Sequence, residues 1–414
     1  MSKLGESANE YDVIIGGGGP AGSSAAIRLG ATGARVLLVE QKKFPRAKLC
    51  GEFISPECAA HFTALGVLAE MTAAGATRVV ATDFYTRGGH KVSVPSAWFG
   101  ADGGGYAHNS CALGLSRAEM DHRLLMRARA VGVEVLEETT ASGLVREDGR
   151  VCGVELQHDG AQRVARAPVT IDATGRARVL VRRVARARAD DEHSNDHGQP
   201  HQTRARLVAF KAHLDNVKLA DGACEIYFYR GGYGGLSRVE GGLSNLCFIV
   251  AARDVRARGS DADRVMREVL MTNQRAAETL RGARVRSEWL AVALESFGRA
   301  KLVPAAGLLT VGDAAAFIDP FTGSGMLMAL ESGALAADVI AHALPALRAG
   351  HDFAALADDY RAHYRARFNA RLRVCSVLRR AAFAPSIITA TAALALNTSA
   401  SLRRVLARAT RQSA

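Results

Sequence analysis

Four short, largely apolar runs punctuate the chain, at residues 11–15, 34–39, 169–173 and 308–311. Each has the length of one strand, with apolar residues on both faces in most of them and few polar ones (Asp12, Arg35, Thr170, Asp172 and Thr310). That is the pattern of a parallel sheet covered on both faces. The first run leads straight into Gly16, Gly17, Gly18 and Gly19, and Pro20 then opens an Ala-rich stretch that reads as a helix. The second run ends in Glu40. Residues 11–40 therefore spell strand, tight turn, helix, strand, with a right-handed crossover. The third run breaks at Gly175, and the fourth meets Gly312 and Asp313. Residues 116–130 predict a helix capped by Ser116, with Met120, Leu124 and Leu125 on one face. Residues 325–344 predict a longer helix with an apolar face.

Elsewhere the pattern alternates. Residues 79–95 predict a hairpin around Gly88-Gly89, and 143–155 a strand pair turned at Asp148-Gly149. A further strand is expected at 133–136. Residues 207–213, 224–229 and 243–251 read as strands of a second sheet. The polar stretch 190–202 reads as a solvated loop, and its three His residues lack metal-ligand spacing, so no metal site is expected.

Composition narrows the classes. A chain of 414 residues, 48% hydrophobic and 23% charged, is neither disordered nor collagenous. Its seven cysteines form no CxxC pair, which excludes a zinc ribbon and a disulfide framework. The net charge of +12 is local: residues 361–414 hold eleven Arg and no Asp or Glu, which leaves the rest near neutral. No basic stripe crosses the body, so no nucleic-acid partner is expected. The basic tail suits peripheral contact with an anionic membrane surface. Its uncharged stretch, 381–396, is interrupted by Pro385 and falls short of the ~20 residues of a bilayer span. It is either a helical cap on the body or an interfacial helix. The polar first ten residues carry no signal-type apolar segment, and the expected location is cytoplasmic, at the membrane's inner face if the tail binds lipid.

The motif with the clearest chemistry is Gly17-x-Gly19-x-x-Gly22. Gly17 permits the tight turn, Gly19 lets the backbone approach a pyrophosphate, and Gly22 lets helix and strand pack closely. The helix that begins at Pro20 and Ala21 offers free N–H groups and positive partial charge to phosphates. Glu40 is placed to accept hydrogen bonds from both hydroxyls of an adenosine ribose, and its charge disfavours a 2′-phosphate. Asp313, after Gly312 at a strand end, can bind a ribitol hydroxyl. The turn from Asp319 through Pro320 and Gly323 to Gly325 and Met326 can aim N–H groups at a flavin ring.

Together these blocks resemble the FAD-dependent oxidoreductases of the para-hydroxybenzoate hydroxylase fold. The resemblance covers roughly residues 10–345. Ser116-Arg117-Ala118-Glu119-Met120-Asp121 is similar to a helix start whose Arg contacts FAD, which implies that role for Arg117. Phe44-Pro45-Arg46 and Cys50-Gly51-Glu52 match a segment near the flavin, which implies roles for Arg46 and Cys50. Asp172-Ala173-Thr174-Gly175-Arg176 occupies the place of an Asp-Gly motif, with Thr174 where aromatic hydroxylases have Asp. Flavin-dependent halogenases carry a Lys where this chain has Ala60, and neither Trp98 nor Trp289 sits in their tryptophan motif. Lys48-Leu49-Cys50-Gly51 and Asp319-Pro320-Phe321-Thr322-Gly323 resemble the geranylgeranyl-reductase-like branch. There, Gly232 to Leu236 takes the place of a strand turn that carries an aromatic near Leu236.

The expected fold is α/β. A Rossmann-like FAD-binding domain of glutathione-reductase type spans 8–78, 105–185 and 296–345. An inserted antiparallel substrate sheet spans 79–104 and 203–295, and a helical basic region 346–414. The expected activity is hydride transfer at flavin N5, by double-bond reduction or dehydrogenation of an isoprenoid, quinone-like or polyketide substrate. Oxygen insertion through a C4a-hydroperoxide is the alternative, with halogenation or electron transfer to a quinone pool ranked below. FAD should be held noncovalently. The electron donor stays open between NAD(P)H, a quinone and a small redox protein, since no second nucleotide fingerprint occurs. The catalytic residues and the oligomeric state are open. Cys50 is either a reactive thiol or a packing residue, and Tyr227, Phe228, Tyr229 and Tyr233 line either a substrate channel or the core.

Overall fold

The structure, a computed structural model, describes residues 10–99, 111–191, 206–294, 297–349 and 353–382. The four apolar runs are neighbours in one sheet. Strands Leu308–Thr310, Val169–Asp172, Val13–Gly16, Val36–Val39 and Glu134–Leu136 lie side by side in that order, all parallel. Val13 and Ile15 face a helical layer, while Ile14 and Leu37 face a second cluster on the opposite side. Burial on both faces is why Val13–Gly16, Val36–Val39 and Leu308–Thr310 carry apolar residues at consecutive positions.

The helical layer consists of Pro20–Ala31, Arg117–Ala130 and Gly325–Arg348. Ser116 caps the second as expected, accepting from the Glu119 N–H. Helices Pro20–Ala31 and Gly325–Arg348 cross almost backbone to backbone. A Cβ on Gly333 would lie 2.1 Å from the Ala21 carbonyl oxygen, and Ser24 Oγ donates to the Leu330 carbonyl at 2.9 Å. Gly325–Arg348 is apolar and long enough to cross a membrane, but it is the buried central helix of this layer. The other face of the sheet is covered by the antiparallel strands Thr140–Glu147, Arg150–His158 and Ala161–Arg166 and by helix Val179–Asp191. The expected turn at Asp148-Gly149 joins the first two. The third strand is polar and mostly exposed, so the sequence pattern is silent there. The loop expected at 190–202 lies almost wholly outside the described residues.

The second sheet has eight strands. Arg284–Val285, Leu207–Asp215, Ser244–Ala251, Gly232–Arg238, Ala223–Tyr229, Ala81–Tyr85 and Lys91–Pro95 follow in that order, and Leu290–Leu294 also pairs with Leu207–Asp215. One ladder departs from the antiparallel expectation: Ala223–Tyr229 runs parallel to Ala81–Tyr85. These two strands come from distant parts of the chain, and no tight turn joins them to impose opposite directions. Helices Ala262–Glu268 and Gln274–Leu280 bury the far face of this sheet. Its near face looks toward the first domain.

The basic tail divides. Helix Ala354–Ala382 packs on the body, with Tyr360, Tyr364 and Phe368 in the helical-layer core. Tyr360 Oη donates to the Thr310 carbonyl at 2.6 Å. Arg371 is 1% exposed and donates to Glu331 Oε2 at 2.5 Å, while Arg367 donates to Oε1 at 3.0 Å. This part is the helical cap. Residues 383–414, which include most of the uncharged stretch, lie outside the described residues.

Candidate functional site

Strand Val13–Gly16 delivers the glycine turn to the carboxyl edge of the parallel sheet, the place where open α/β sheets bind ligands. Gly17 has φ +106°, and a Cβ there would stand 2.5 Å from the Ala173 carbonyl oxygen. A Cβ on Gly22 would sit 1.9 Å from the Gly17 carbonyl oxygen. Both glycines are demanded by the turn itself. Gly19, Gly175 and Gly325 differ. Added carbons would meet only Arg117 Nη2 at 3.7 Å at Gly19 and nothing within 4 Å at the other two. Their missing side chains leave bare backbone facing open space.

That space is a cavity of about 1270 Å³. Gly17, Gly19, Pro20, Ala21, Glu40, Arg46, Cys50 and Arg117 line it from the first two blocks of the chain. Gly175, Gly312, Asp313, Pro320, Gly323, Gly325 and Met326 line it from the later ones. Of the residues assigned to cofactor binding in the sequence, Gly22 alone stays behind the wall, because its task is to pack against Gly17. Single-ligand pockets usually occupy ~300–1,000 Å³, so this one has room for two molecules.

Charge is organised around the cradle. Glu40 accepts from the Gly18 N–H at 3.0 Å and the Lys42 N–H at 3.0 Å, with Arg46 3.4 Å away. Arg117 is locked by two bonds to Asp121, at 2.8 and 2.7 Å. Burial works against the Arg117 charge, but Asp121 outweighs it and holds the guanidinium above its ordinary range. Burial pushes the Asp313 carboxyl up, against the opposing charges of Arg176 and Arg117. Thr174, in place of the hydroxylases' Asp, caps locally: it donates to Asp172 Oδ1 and accepts from the Val179 N–H.

The other wall is the near face of the second sheet, and it is aromatic. Phe84, Phe228, Tyr233 and Phe321 make a cage with ring centroids 5.7–6.5 Å apart. Tyr233 Oη donates to Asp319 Oδ1 and accepts from the Phe321 N–H at 2.8 Å, which ties the Asp319 turn to the sheet. The four aromatics of the sequence reading thus part company. Tyr227 and Tyr229 share a face and pack into the helix-side core, with Tyr227 bonded to Glu225, although Tyr229 also borders the cavity. Phe228 and Tyr233 belong to the cluster around Phe317 and Phe321.

One group escaped the sequence reading. Glu52 is fully buried, at φ +52°, and takes three donors. Lys211 Nζ lies 2.7 Å and the Arg117 N–H 2.9 Å from Oε1, and His213 Nε2 lies 2.6 Å from Oε2. Burial alone would raise this carboxyl, but the His213 bond and the Lys211 charge more than offset it and hold it below its ordinary value. The available signal was two basic residue types, Lys211 and His213, at alternate positions on the inward face of a largely apolar strand. Glu52 fastens the segment that carries Cys50 both to the second sheet and to the start of helix Arg117–Ala130. Among the described residues no cluster of metal-ligating side chains occurs.

The family model described as FAD dependent oxidoreductase matches residues 12–302. The chain belongs to this family. The bare-backbone cradle, the carboxylate at Glu40 and the helix start at Gly325 are a donor and acceptor set that fits FAD. Curated relatives are reductases. The chain is 26% identical over 362 residues to a digeranylgeranylglycerophospholipid reductase of Methanocella arvoryzae, covering 82% of this chain and 79% of the relative. It is 26% identical over 348 residues to a menaquinone reductase of Mycolicibacterium smegmatis, covering 80% and 76%. Among solved structures, a flavoprotein/dehydrogenase from Cytophaga hutchinsonii superposes with a TM-score of 0.78 at 20% identity, over 97% of this chain and 92% of the other. The flavin-dependent brominase Bmp2 does so at 0.76 and 20%, over 97% and 93%. These likenesses show the shared flavoprotein fold. The chain is an FAD-dependent oxidoreductase, and the two curated relatives are named as reductases of digeranylgeranylglycerophospholipid and of menaquinone.

Proposed function

We propose that this enzyme adds hydrogen across a carbon–carbon double bond of a lipophilic isoprenoid, quinone-like or polyketide substrate. The carrying observation is the single cavity that runs from the glycine cradle to the aromatic cage. A cofactor and an apolar chain can share it without water between them. In this reading Gly17, Gly19, Pro20 and Ala21 hold a pyrophosphate through backbone N–H groups. Glu40 receives the ribose, Asp313 the ribitol, and the N–H groups at Gly323, Gly325 and Met326 face the flavin ring. Gly175, Gly312 and Pro320 let backbone approach closely. Arg46 and Arg117 are positioned by Asp121 rather than free to wander. Bound FAD, held noncovalently, supplies the hydride. Phe84, Phe228 and Phe321 exclude water and orient the chain.

The test is anaerobic. Photoreduced enzyme mixed with a polyprenyl quinone is expected to yield product that, once any quinol has been reoxidised to quinone, still carries two extra hydrogens, located in its prenyl chain by tandem mass spectrometry. A gain lost on reoxidation would mean that only the quinone ring was reduced. A product that gains oxygen, and forms only in air, would select oxygenation instead. Glu40→Arg is expected to weaken FAD binding by roughly 1.5–3 kcal/mol, through loss of a charged hydrogen bond to the ribose. Flavin retained on dialysis equally well by parent and variant would move the ribose away from Glu40.

We propose also that the tail beyond the packed helix meets anionic lipid at the cytoplasmic membrane face. Arg361, Arg367 and Arg371 are already engaged by Asp358 and Glu331; beyond the helix, the charge supporting this reading is that of Arg403, Arg404, Arg408 and Arg411. Each basic residue near such a surface contributes ~1 kcal/mol. Anionic liposomes should bind the parent at low salt and release it at high salt. A variant with Gln at those four positions should stay in solution.

A further inference from the structure

The near face of the second sheet carries its cavity wall in rows, because residues paired directly across strands point the same way. Phe228, Tyr233, Ile249 and Ala209 form one apolar row, and Phe84, Ile226, Gly235 and Cys247 the next, which ends in Lys211. The third row changes. Thr82, Cys224, Ser237 and Asn245 stand side by side across four strands. Of these, Thr82, Cys224 and Ser237 line the cavity.

Their hydrogen bonds are unequal. Burial pushes the Cys224 thiol up to about 12, which keeps it neutral, and Thr82 is its hydrogen-bond partner. Asn245 gives its side-chain N–H to the Cys50 carbonyl at 3.0 Å. Ser237 is 1% exposed, and its Oγ, like Asn245 Oδ1, has no partner. A desolvated hydroxyl left unpaired costs ~1–3 kcal/mol. It is tolerated where a ligand completes it.

We infer that Ser237 donates a hydrogen bond to an oxygen of the substrate, so the cavity selects a lipophile bearing a carbonyl or hydroxyl group over a plain hydrocarbon chain. This deepens the function proposed above and rests on it. Thr82 and Phe84 are two residues apart on one strand, and Cys224 and Phe228 four on the next, so the oxygen site lies ~7 Å from the near edge of the aromatic cage and ~13 Å from Phe228. The matching ligand therefore has a polar ring or head at one end and an apolar chain reaching the cage.

The test uses oxidised holoenzyme and two probes of equal length, 2-methyl-3-geranyl-1,4-naphthoquinone and 2-methyl-3-geranylnaphthalene, measured by equilibrium dialysis. Ser237→Ala should weaken the quinone about five- to tenfold, the worth of one hydrogen bond, and leave the hydrocarbon within about twofold. Ser237→Thr, which keeps the hydroxyl, should retain the preference. The alanine variant should keep its FAD and unfold at the same or a higher temperature, because it loses an unpaired polar group. Equal effects on both probes, or none on the quinone, would overturn the inference. Loss of FAD or a lower midpoint would do so too, by making Ser237 structural. If neither probe binds the parent holoenzyme, the lipophilic-substrate reading itself fails and takes this one with it.

Discussion

A chain ending at residue 360 is expected to lose its fold and its flavin together. The cut removes Tyr364 and Phe368, 1% and 0% exposed, from the core beneath the cofactor domain. Deleting one buried aromatic side chain costs ~3–5 kcal/mol. The cut also removes Arg367 and Arg371, the partners of Glu331, which is 5% exposed. A buried carboxylate stripped of its partner costs ~3–5 kcal/mol more. Those losses together match or exceed the ~5–15 kcal/mol by which domains are stable. Circular dichroism and bound-flavin absorbance read the outcome. A truncated chain that unfolds cooperatively and holds FAD as the parent does would contradict the packing of this helix. Membrane contact must accordingly be tested with point variants beyond it.

Glu52→Ala is the second large effect expected. It strands the Lys211 ammonium, 2% exposed, and removes the acceptor of the Arg117 N–H. Breaking one side of a buried pair costs ~3–5 kcal/mol. The pH dependence carries a signature. The folded Glu52 carboxyl is held below its ordinary value, so its contribution is present above the unfolded pKa, ~4.3, and is lost as pH falls through the lower folded one. The parent should therefore lose stability on acidification through that window more steeply than the variant. Urea midpoints at several pH values decide it. Parallel curves for both proteins would mean that Glu52 gains nothing from its ionisation.

The parallel sheet was legible because largely apolar runs and glycine turns have one physical meaning. The cradle was legible because Gly17 and Gly22 are sterically compelled and Glu40 ends the second strand. The tail was misleading in part. Its eleven arginines dominate any count, yet Tyr360, Tyr364 and Phe368 recur every fourth residue, the spacing of a buried helix stripe. The direction of the ladder between Ala223–Tyr229 and Ala81–Tyr85 is fixed by packing between distant segments, which local pattern does not encode. The same holds for Glu52, since its partners lie about 160 residues away. Which aromatics face the cavity was half legible. Alternation separates Tyr227 and Tyr229 from Phe228, but only the neighbouring strands decide which face looks inward.

The most direct test of the cofactor cavity is flavin stoichiometry. Protein purified without added cofactor, then denatured, should release one FAD per chain into the soluble fraction, with nothing left attached to the polypeptide. Protein that shows no flavin absorbance, even after refolding with excess FAD, would contradict the account at its centre.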